Sequence, residues 1–404
     1  MKVALFITGQ NPEDGGGYTF ENQLLEIILQ LRSTSRHTFI LYVSSQEIPT
    51  NVLDSTLQIV PLYLCMRDKI KLKLVGWVKN SFQKILHPTS KFIIQEWREQ
   101  YILNSLKANQ IDVILSLIPN CPTVEYPCIT TVWDLQHKLQ PYFPEVSGSG
   151  EWDARENFYV KMLRRAAFII TGTETGKAEI ERFYQVPAER IKVIPFCAPQ
   201  FASTSHPIDR DIASEYHLPN RYLFYPAQFW PHKNHIGLLL AIKYLNEKYD
   251  LEFSLVLVGA DKGNESYVRE MVRDLDLSQQ VYFLGFVPRA DLELLYRHAF
   301  ALCFMTFFGP DNLPPLEAMA LGCPVIASNV SGAKEQLGDA ALLVDPKQPA
   351  EIAMAIKSLL EDSILRQNMI ERGLKRANQW TAKDCVREIF SIIDDFEPIR
   401  RCWK

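Results

Sequence analysis

The sequence predicts an α/β protein of two doubly wound parallel-sheet domains facing a central cleft. Three observations predict it. The chain has 404 residues, too many for one ordinary core and suited to two of about 200. Strand-length apolar runs alternate with segments of helical periodicity, the pattern of βα units. That alternation runs once as far as Pro195 and restarts at Tyr222.

In the first half, residues 3–8 read as a buried strand, followed by the loop Asp14-Gly15-Gly16-Gly17-Tyr18 and a helix from about Phe20 to Leu31. Strand, glycine-rich loop and helix form a phosphate cradle where backbone must approach an anion, or merely a flexible turn. The spacing is not Gly-x-Gly-x-x-Gly, which disfavours a dinucleotide oxidoreductase. Further strands are expected at Phe39 to Ser44, Gln58 to Pro61, Val113 to Ser116, Ile129 to Val132, Phe168 to Thr171 and Ile191 to Pro195, with helices over Ser90 to Lys107, Trp152 to Ala166 and Glu174 to Tyr184. Between residues 67 and 86, six basic residues face one acid, and Ile70, Leu74, Val78, Phe82 and Ile85 share a helical face. Two readings stand: a helix on an anionic membrane surface, or a surface helix packed on its own domain. Asp134 and His137 follow the strand ending at Val132. That is where ligands bind in open parallel sheets, though caps and turns use the same residues.

In the second half, strands are expected at Tyr222 to Pro226, Phe253 to Gly259, Val281 to Leu284, Ala301 to Met305, Pro324 to Ala327 and Ala341 to Val344. Helices are expected over His235 to Glu247, Tyr267 to Leu275, Arg289 to Arg297, Ala350 to Leu360, Ile364 to Gln379 and Ala382 to Phe396. The segment from Thr306 to Gly322 joins two buried strands through a polar turn and a short helix with Pro near its start and Gly past its end. Its amides and dipole form an anion site. Glu317, expected in the first turn, is positioned to hold a diol such as a ribose, or simply favours the helix dipole.

Composition narrows the function. Hydrophobic content of 47% and charged content of 22% are globular values. A net charge of −4 leaves no whole-chain nucleic-acid footprint. No apolar run reaches transmembrane length, and the first residues read as a strand rather than a signal segment. The eight cysteines form no Cys-x-x-Cys pair. With Cys303 and Cys323 in apolar strands, they suggest reduced core residues and a cytoplasmic protein.

Four stretches together resemble the retaining family-4 (group 1) glycosyltransferases of the GT-B fold, with its two Rossmann-like domains. They are Leu313-Pro314-Pro315-Leu316-Glu317 through Ser328; Lys233-Asn234-His235; Val258-Gly259 with Val281 through Val287; and Thr173-Glu174-Thr175 with Ile191 through Pro195. The resemblance implies an acceptor-side domain over 1–198, a nucleotide-sugar domain over 199–380, and a helix in 381–404 crossing back to the first domain. It implies that Glu317 holds the donor ribose and that amides near Leu313 and Pro314 face the diphosphate. Because Pro314 and Pro315 lack an N–H, Leu313 and Leu316 must donate. Lys233 would neutralise the diphosphate, with Gln228 beside it and Gly259 in the donor site. Phe286 and Val287 would meet the base, and Gly16 and Gly17 would approach the phosphate or sugar from the other domain. Asp134 and His137 would stand near the reacting centre.

Three positions depart from the family pattern. The first of its paired glutamates falls on Gly309 or Thr306, leaving Asp311 or Asn312 as substitutes at the sugar. Its usual Arg is Gln228. Its His before the Asp is Trp133, whose role His137 would cover. The implied reaction transfers a hexosyl group with retention from a GDP- or UDP-sugar to a hydroxyl acceptor, a glycan or lipid-linked glycan, with no metal or other cofactor. The rival readings are a non-catalytic nucleotide-sugar-binding subunit and a GT-B-type epimerase or phosphorylase.

Overall fold

The computed structural model describes residues 1–9, 15–44, 57–62, 90–199 and 210–403; the basic tract 67–86 lies outside them. Two compact units divide the chain. The first comprises Met1–Thr131, Tyr159–Ile170 and Ile389–Lys404, the second Val132–Phe158 and Thr171–Glu388. Each unit takes more than one stretch of chain, and the last stretch, Ile389–Lys404, falls in the first unit with the helix expected in 381–404 to return there.

The first sheet is built from β1 (Lys2–Ile7), β2 (Thr38–Val43), β3 (Ile59–Pro61), β4 (Val113–Ser116), β5 (Cys128–Thr131), β6 (Phe168–Thr171) and β7 (Ile191–Val193), in the order β3-β2-β1-β4-β5-β6-β7. β1 lies between β2 and β4, parallel to both, and buries Val3 through Ile7 completely. A strand covered on both faces needs apolar side chains at every position, so β1 reads as a continuous apolar run. The short edge strand β3 buries none of its residues. The helix after β1 spans Gly16–Leu31 and begins four residues before the expected Phe20. Gly15 caps it at φ 80°, so Gly16 and Gly17 form the first turn and not a loop. Glu21 anchors this turn to β1: its carboxylate accepts from Thr8 N and Thr8 Oγ1, each at 3.0 Å.

The second sheet comprises β8 (Tyr222–Pro226), β9 (Ser254–Val258), β10 (Val281–Gly285), β11 (Ala301–Phe304), β12 (Val325–Ser328) and β13 (Ala341–Val344). Its order is β10-β9-β8-β11-β12-β13, and every pair is parallel. The central strands β11 and β12 are wholly buried, whereas the edges β10 and β13 are mostly half-exposed. The helix His235–Tyr249 covers the sheet with Leu238, Leu239, Ala241, Ile242 and Leu245, the stripe expected of a core-facing helix. Cys303 and Cys323 are free and buried in this core, as expected from their apolar contexts. The strands predicted from sequence lie within two residues of those observed. No helix among the described residues is long and apolar enough to cross a membrane.

Candidate functional site

From the centre of the second sheet, β8, β9 and β10 step one way and β11, β12 and β13 the other. The loops leaving the carboxyl ends of β8 and β11 therefore part, and the gap between them is where ligands bind in open parallel sheets. These loops, residues 227–234 and 305–312, hold Gln228, Lys233, Asp311 and Asn312 of the residues singled out by sequence. They meet at His232, whose carbonyl accepts from Phe307 N at 2.8 Å and from Thr306 Oγ1 at 3.4 Å.

Lys233 ends a short helical turn, Pro231–Lys233. Asn234 then takes a left-handed conformation (φ 54°) and caps the next helix, accepting from Gly237 N at 3.1 Å. The Asn234 amide also donates to Pro346 O at 2.8 Å, and Tyr225 OH donates to Lys233 O at 2.5 Å. The backbone around Lys233 is thus fixed, but its ammonium is not neutralised. Nζ lies 5.2 Å from the centre of the Phe304 ring, and among the described residues no carboxylate lies within ion-pair distance of it. Burial lowers its pKa to about 8, with Asp134 and Glu145 opposing the shift from farther away. The group therefore remains mainly a cation at neutral pH.

The residue before it is equally constrained. His232 N donates to Glu145 Oε1 at 2.9 Å, and His232 Nδ1 contacts the same oxygen. The His232 ring stacks on Phe308 with centroids 3.9 Å apart and planes 11° apart. Phe143 packs against both rings and against Phe307. Burial, reinforced by the charge of Lys233, lowers the His232 pKa to about 4. Burial pushes Glu145 upward, but hydrogen bonds from His232 and the backbone outweigh it and leave the carboxyl below its usual range. Neither Glu145 nor His232 was singled out by sequence. Glu145 sits on a four-residue helix, Pro144–Ser147, too short for periodicity to reveal; Pro144 at its start was the only local signal.

Across the gap, Leu313–Ala320 forms the expected helix. Glu317 is its fifth residue and so lies beyond the first turn, correcting the expectation; two prolines occupy turn positions that a shorter count overlooked. Its Oε2 accepts from Tyr296 OH at 2.6 Å, and burial raises its pKa. Asp311 and Asn312 do not stand free as substitutes at a sugar. Asp311 Oδ2 accepts from Phe196 N at 3.0 Å, and Gln336 Nε2 donates to Oδ1. Gly172 makes room for this carboxyl, since a Cβ there would lie 2.0 Å from Oδ2. Asn312 Nδ2 donates to Gly309 O at 2.8 Å, and Asn312 N donates to Gln336 Oε1 at 3.1 Å. Thr306, at one family position for the missing glutamate, is buried and donates to Phe308 O at 2.8 Å.

Gln228 and Gly259 come together. Gly259, at φ 154°, passes so close to the β8 loop that a Cβ would lie 2.4 Å from Ala227 O and 2.8 Å from Gln228 N. Gln228 Oε1 accepts from Trp230 Nε1 at 3.0 Å. Phe286 is 52% exposed and available to a flat ligand, whereas Val287, at 4%, belongs to the core.

Asp134 and His137 are each engaged by protein partners. Asp134 Oδ1 accepts from Gln136 N at 3.0 Å and from Arg155 Nη1 at 3.3 Å. The His137 side chain is fully buried, with Nε2 3.1 Å from Tyr184 OH and 3.3 Å from Glu156 Oε2. A short helix, Gln136–Leu139, turns His137 inward, so the proposed cover for Trp133 is not realised. Gly16 and Gly17 belong to the first unit, where the helix beginning at Gly16 presents their amides.

Among the described residues, one group of metal-ligand type assembles, in the first unit: His37, Asp394 and Glu397. Arg36 Nε approaches Asp394 at 2.7 Å and Glu397 at 2.9 Å, so a guanidinium already neutralises these carboxylates. Two of its members come from the last helix, which is why no local spacing announced it.

Residues 210–376 match the model of the glycosyl transferases group 1. The chain is 30% identical over 228 residues to O-antigen chain mannosyltransferase B of Escherichia coli, covering 56% of this chain and 60% of that protein. It is 31% identical over 236 residues to O-antigen chain mannosyltransferase RfbU of Salmonella typhimurium, covering 57% and 62%. The chain thus spans about three fifths of the length of these curated relatives. A glycosyltransferase from Rickettsia africae superposes with a TM-score of 0.71 over 98% of both chains at 15% identity, a likeness of fold. Residues 210–376 thus match the group 1 glycosyl transferases, and the two Rossmann-like parallel sheets share the fold of the Rickettsia africae glycosyltransferase.

Proposed function

We propose that the protein is a retaining hexosyltransferase that moves a hexosyl group from a GDP- or UDP-hexose to a hydroxyl of a glycan or lipid-linked glycan. The observation that carries this reading is Lys233, a cationic side chain that has no ion-pair partner among the described residues and stands at the switch point of the second sheet. A diphosphate is the ligand class such a cation suits, beside a helix start whose first turn can donate only from Leu313 and Leu316. Mannose is the hexose that the names of the curated relatives favour, and those names point to surface-polysaccharide assembly.

The difficult event in such a transfer is departure of the diphosphate. Charge builds on its oxygens, and Lys233 with the helix amides stabilises that charge electrostatically. No metal is required in this scheme, because fixed positive groups do that work. Glu317 has one oxygen on Tyr296 and the other to accept a ribose hydroxyl. Phe286 offers an exposed face to the base. The leaving diphosphate itself helps to deprotonate the acceptor on the same face, which retains configuration.

Purified protein given a panel of GDP- and UDP-hexoses should slowly release nucleoside diphosphate from one of them, and Lys233→Ala should lower that release by about 100-fold or more. Tight nucleotide binding without turnover across the panel would instead favour a non-catalytic nucleotide-sugar-binding subunit, the reading that Gln228 and Thr306 motivate. Action at the cytoplasmic face of a membrane, through the basic tract 67–86, belongs to the same proposal. Equal flotation of wild type and a Lys69/Lys71/Lys73→Ala variant with anionic liposomes would remove that part.

A further inference from the structure

The pair formed by Glu145 and His232 lies outside every role assigned so far. Glu145 Oε1 receives both the backbone N–H of His232 and the Nδ1 side of its ring. An ionised carboxylate only accepts, so this contact puts the imidazole proton on Nδ1. Nε2 is then a lone-pair acceptor, and among the described residues it has no hydrogen-bond partner. The ring cannot swing away to find one. Phe308 stacks on its face at 3.9 Å and Phe143 packs at its edge. The backbone beneath it is held by Phe307 N at 2.8 Å. A nitrogen this firmly oriented, next in sequence to the cation proposed for the diphosphate, is arranged for a ligand that donates a hydrogen bond beside an anion. In a nucleoside diphosphate hexose, the group meeting that description is a sugar hydroxyl.

We propose that Glu145 and His232 form a hydroxyl-reading pair, in which Glu145 orients the ring and His232 Nε2 accepts a hydrogen bond from the hexose of the donor. This rests on the glycosyltransferase reading above and adds a specificity residue to it. The low pKa of His232, about 4 through burial and the neighbouring Lys233, is consistent with the same role. The ring stays neutral at physiological pH and so acts as a hydrogen-bond acceptor rather than as a general base, which would need a pKa nearer the working pH.

The test is calorimetric binding of GDP, UDP and their hexose derivatives to full-length wild type and four variants. His232→Phe keeps the stack on Phe308 and removes both ring nitrogens. It should weaken the preferred nucleotide-hexose about tenfold or more while leaving the free nucleoside diphosphate within about twofold, the pattern of a lost hydrogen bond to the sugar. Glu145→Leu frees the tautomer and should act in the same direction. Glu145→Gln keeps an acceptor oxygen for the two N–H groups and should restore most of the difference. Lys233→Ala should weaken both ligands alike. If His232→Phe weakens the diphosphate and the nucleotide-hexose equally, the pair merely supports the loop of Lys233 and the inference is overturned; no change in either ligand overturns it too. If wild type binds neither ligand class, the glycosyltransferase reading fails with it. If Lys233→Ala leaves both affinities intact while His232→Phe is selective, the diphosphate assignment fails and the hydroxyl-reading pair stands.

Discussion

Two loops of the second unit begin alike and end differently. One follows β5 and runs through Trp133, Asp134 and His137; the other follows β8 and runs through Gln228, His232 and Lys233. Both leave a buried parallel strand at its carboxyl end and carry charged or titratable side chains. In the first, Asp134 is held by Gln136 N and Arg155, and His137 is enclosed by Tyr184, Glu156 and Trp152. In the second, the backbone is just as firmly held, yet among the described residues the Lys233 ammonium has no ion-pair partner and lies over the Phe304 ring. The β5 loop uses its polar groups to hold itself in shape. The β8 loop is held in shape by others, through Asn234, Tyr225 and Glu145, and its cation is left for a ligand. Position above a strand end is shared; what separates a binding loop from a structural one is which polar atoms remain without a protein partner.

The largest expected effect breaks that contrast at Lys233. Lys233→Ala should lower nucleotide release from the active donor by about 100-fold or more, the scale of losing one charge-stabilising donor, with thermal stability nearly unchanged. Loss of stability without a specific loss of turnover would make Lys233 a structural residue like those of the β5 loop. His137→Ala should do the reverse. It leaves Tyr184 OH and Glu156 with one partner fewer and opens a cavity, costing about 1–3 kcal/mol in denaturant unfolding. Any surviving fold should keep its affinity for nucleoside diphosphate.

The contrast also shows how much was legible in the sequence. Central strands such as β11, and β1 after Lys2, are apolar at every position because both faces are covered, so the two sheets could be read off directly. Glu317 and the Leu313 helix stood out because charge, proline and glycine punctuate an apolar pattern, and Lys233 stood out through the resemblance to group 1 glycosyltransferases. Glu145 did not, because its partner His232 is 87 residues away and its helix is one turn long. The surroundings of His137 were hidden for a related reason: Tyr184 and Glu156 enclose it from remote points of the chain. Sequence shows which residue types follow a strand, but not which of them a distant segment has already engaged.

A smaller effect sharpens the view of the β11 loop. Burial raises the pKa of Asp311 to about 8, with hydrogen bonds from Phe196 N and Gln336 opposing the shift. A folded-state pKa above the unfolded value of about 3.9 means that the neutral acid stabilises the fold at low pH. That contribution is lost as pH rises from about 4 through about 8. Asp311→Asn should therefore flatten the dependence of denaturant stability on pH over that window. An unchanged profile would show that Asp311 is ionised throughout. The smallest effect is expected at Phe286, which is exposed. Phe286→Ala should alter stability by less than about 0.5 kcal/mol and weaken nucleotide binding a few-fold; unchanged binding would remove Phe286 from the base pocket.

The account turns on Lys233 being an available cation that meets a diphosphate, and its own titration tests this most directly. In protein carrying isotope-labelled lysine, the Lys233 side chain should titrate near pH 8 in the free state. Saturating GDP or UDP should raise that pKa, because a bound dianion favours the charged form. A Lys233 signal whose midpoint does not move on saturation with either nucleotide would contradict the account.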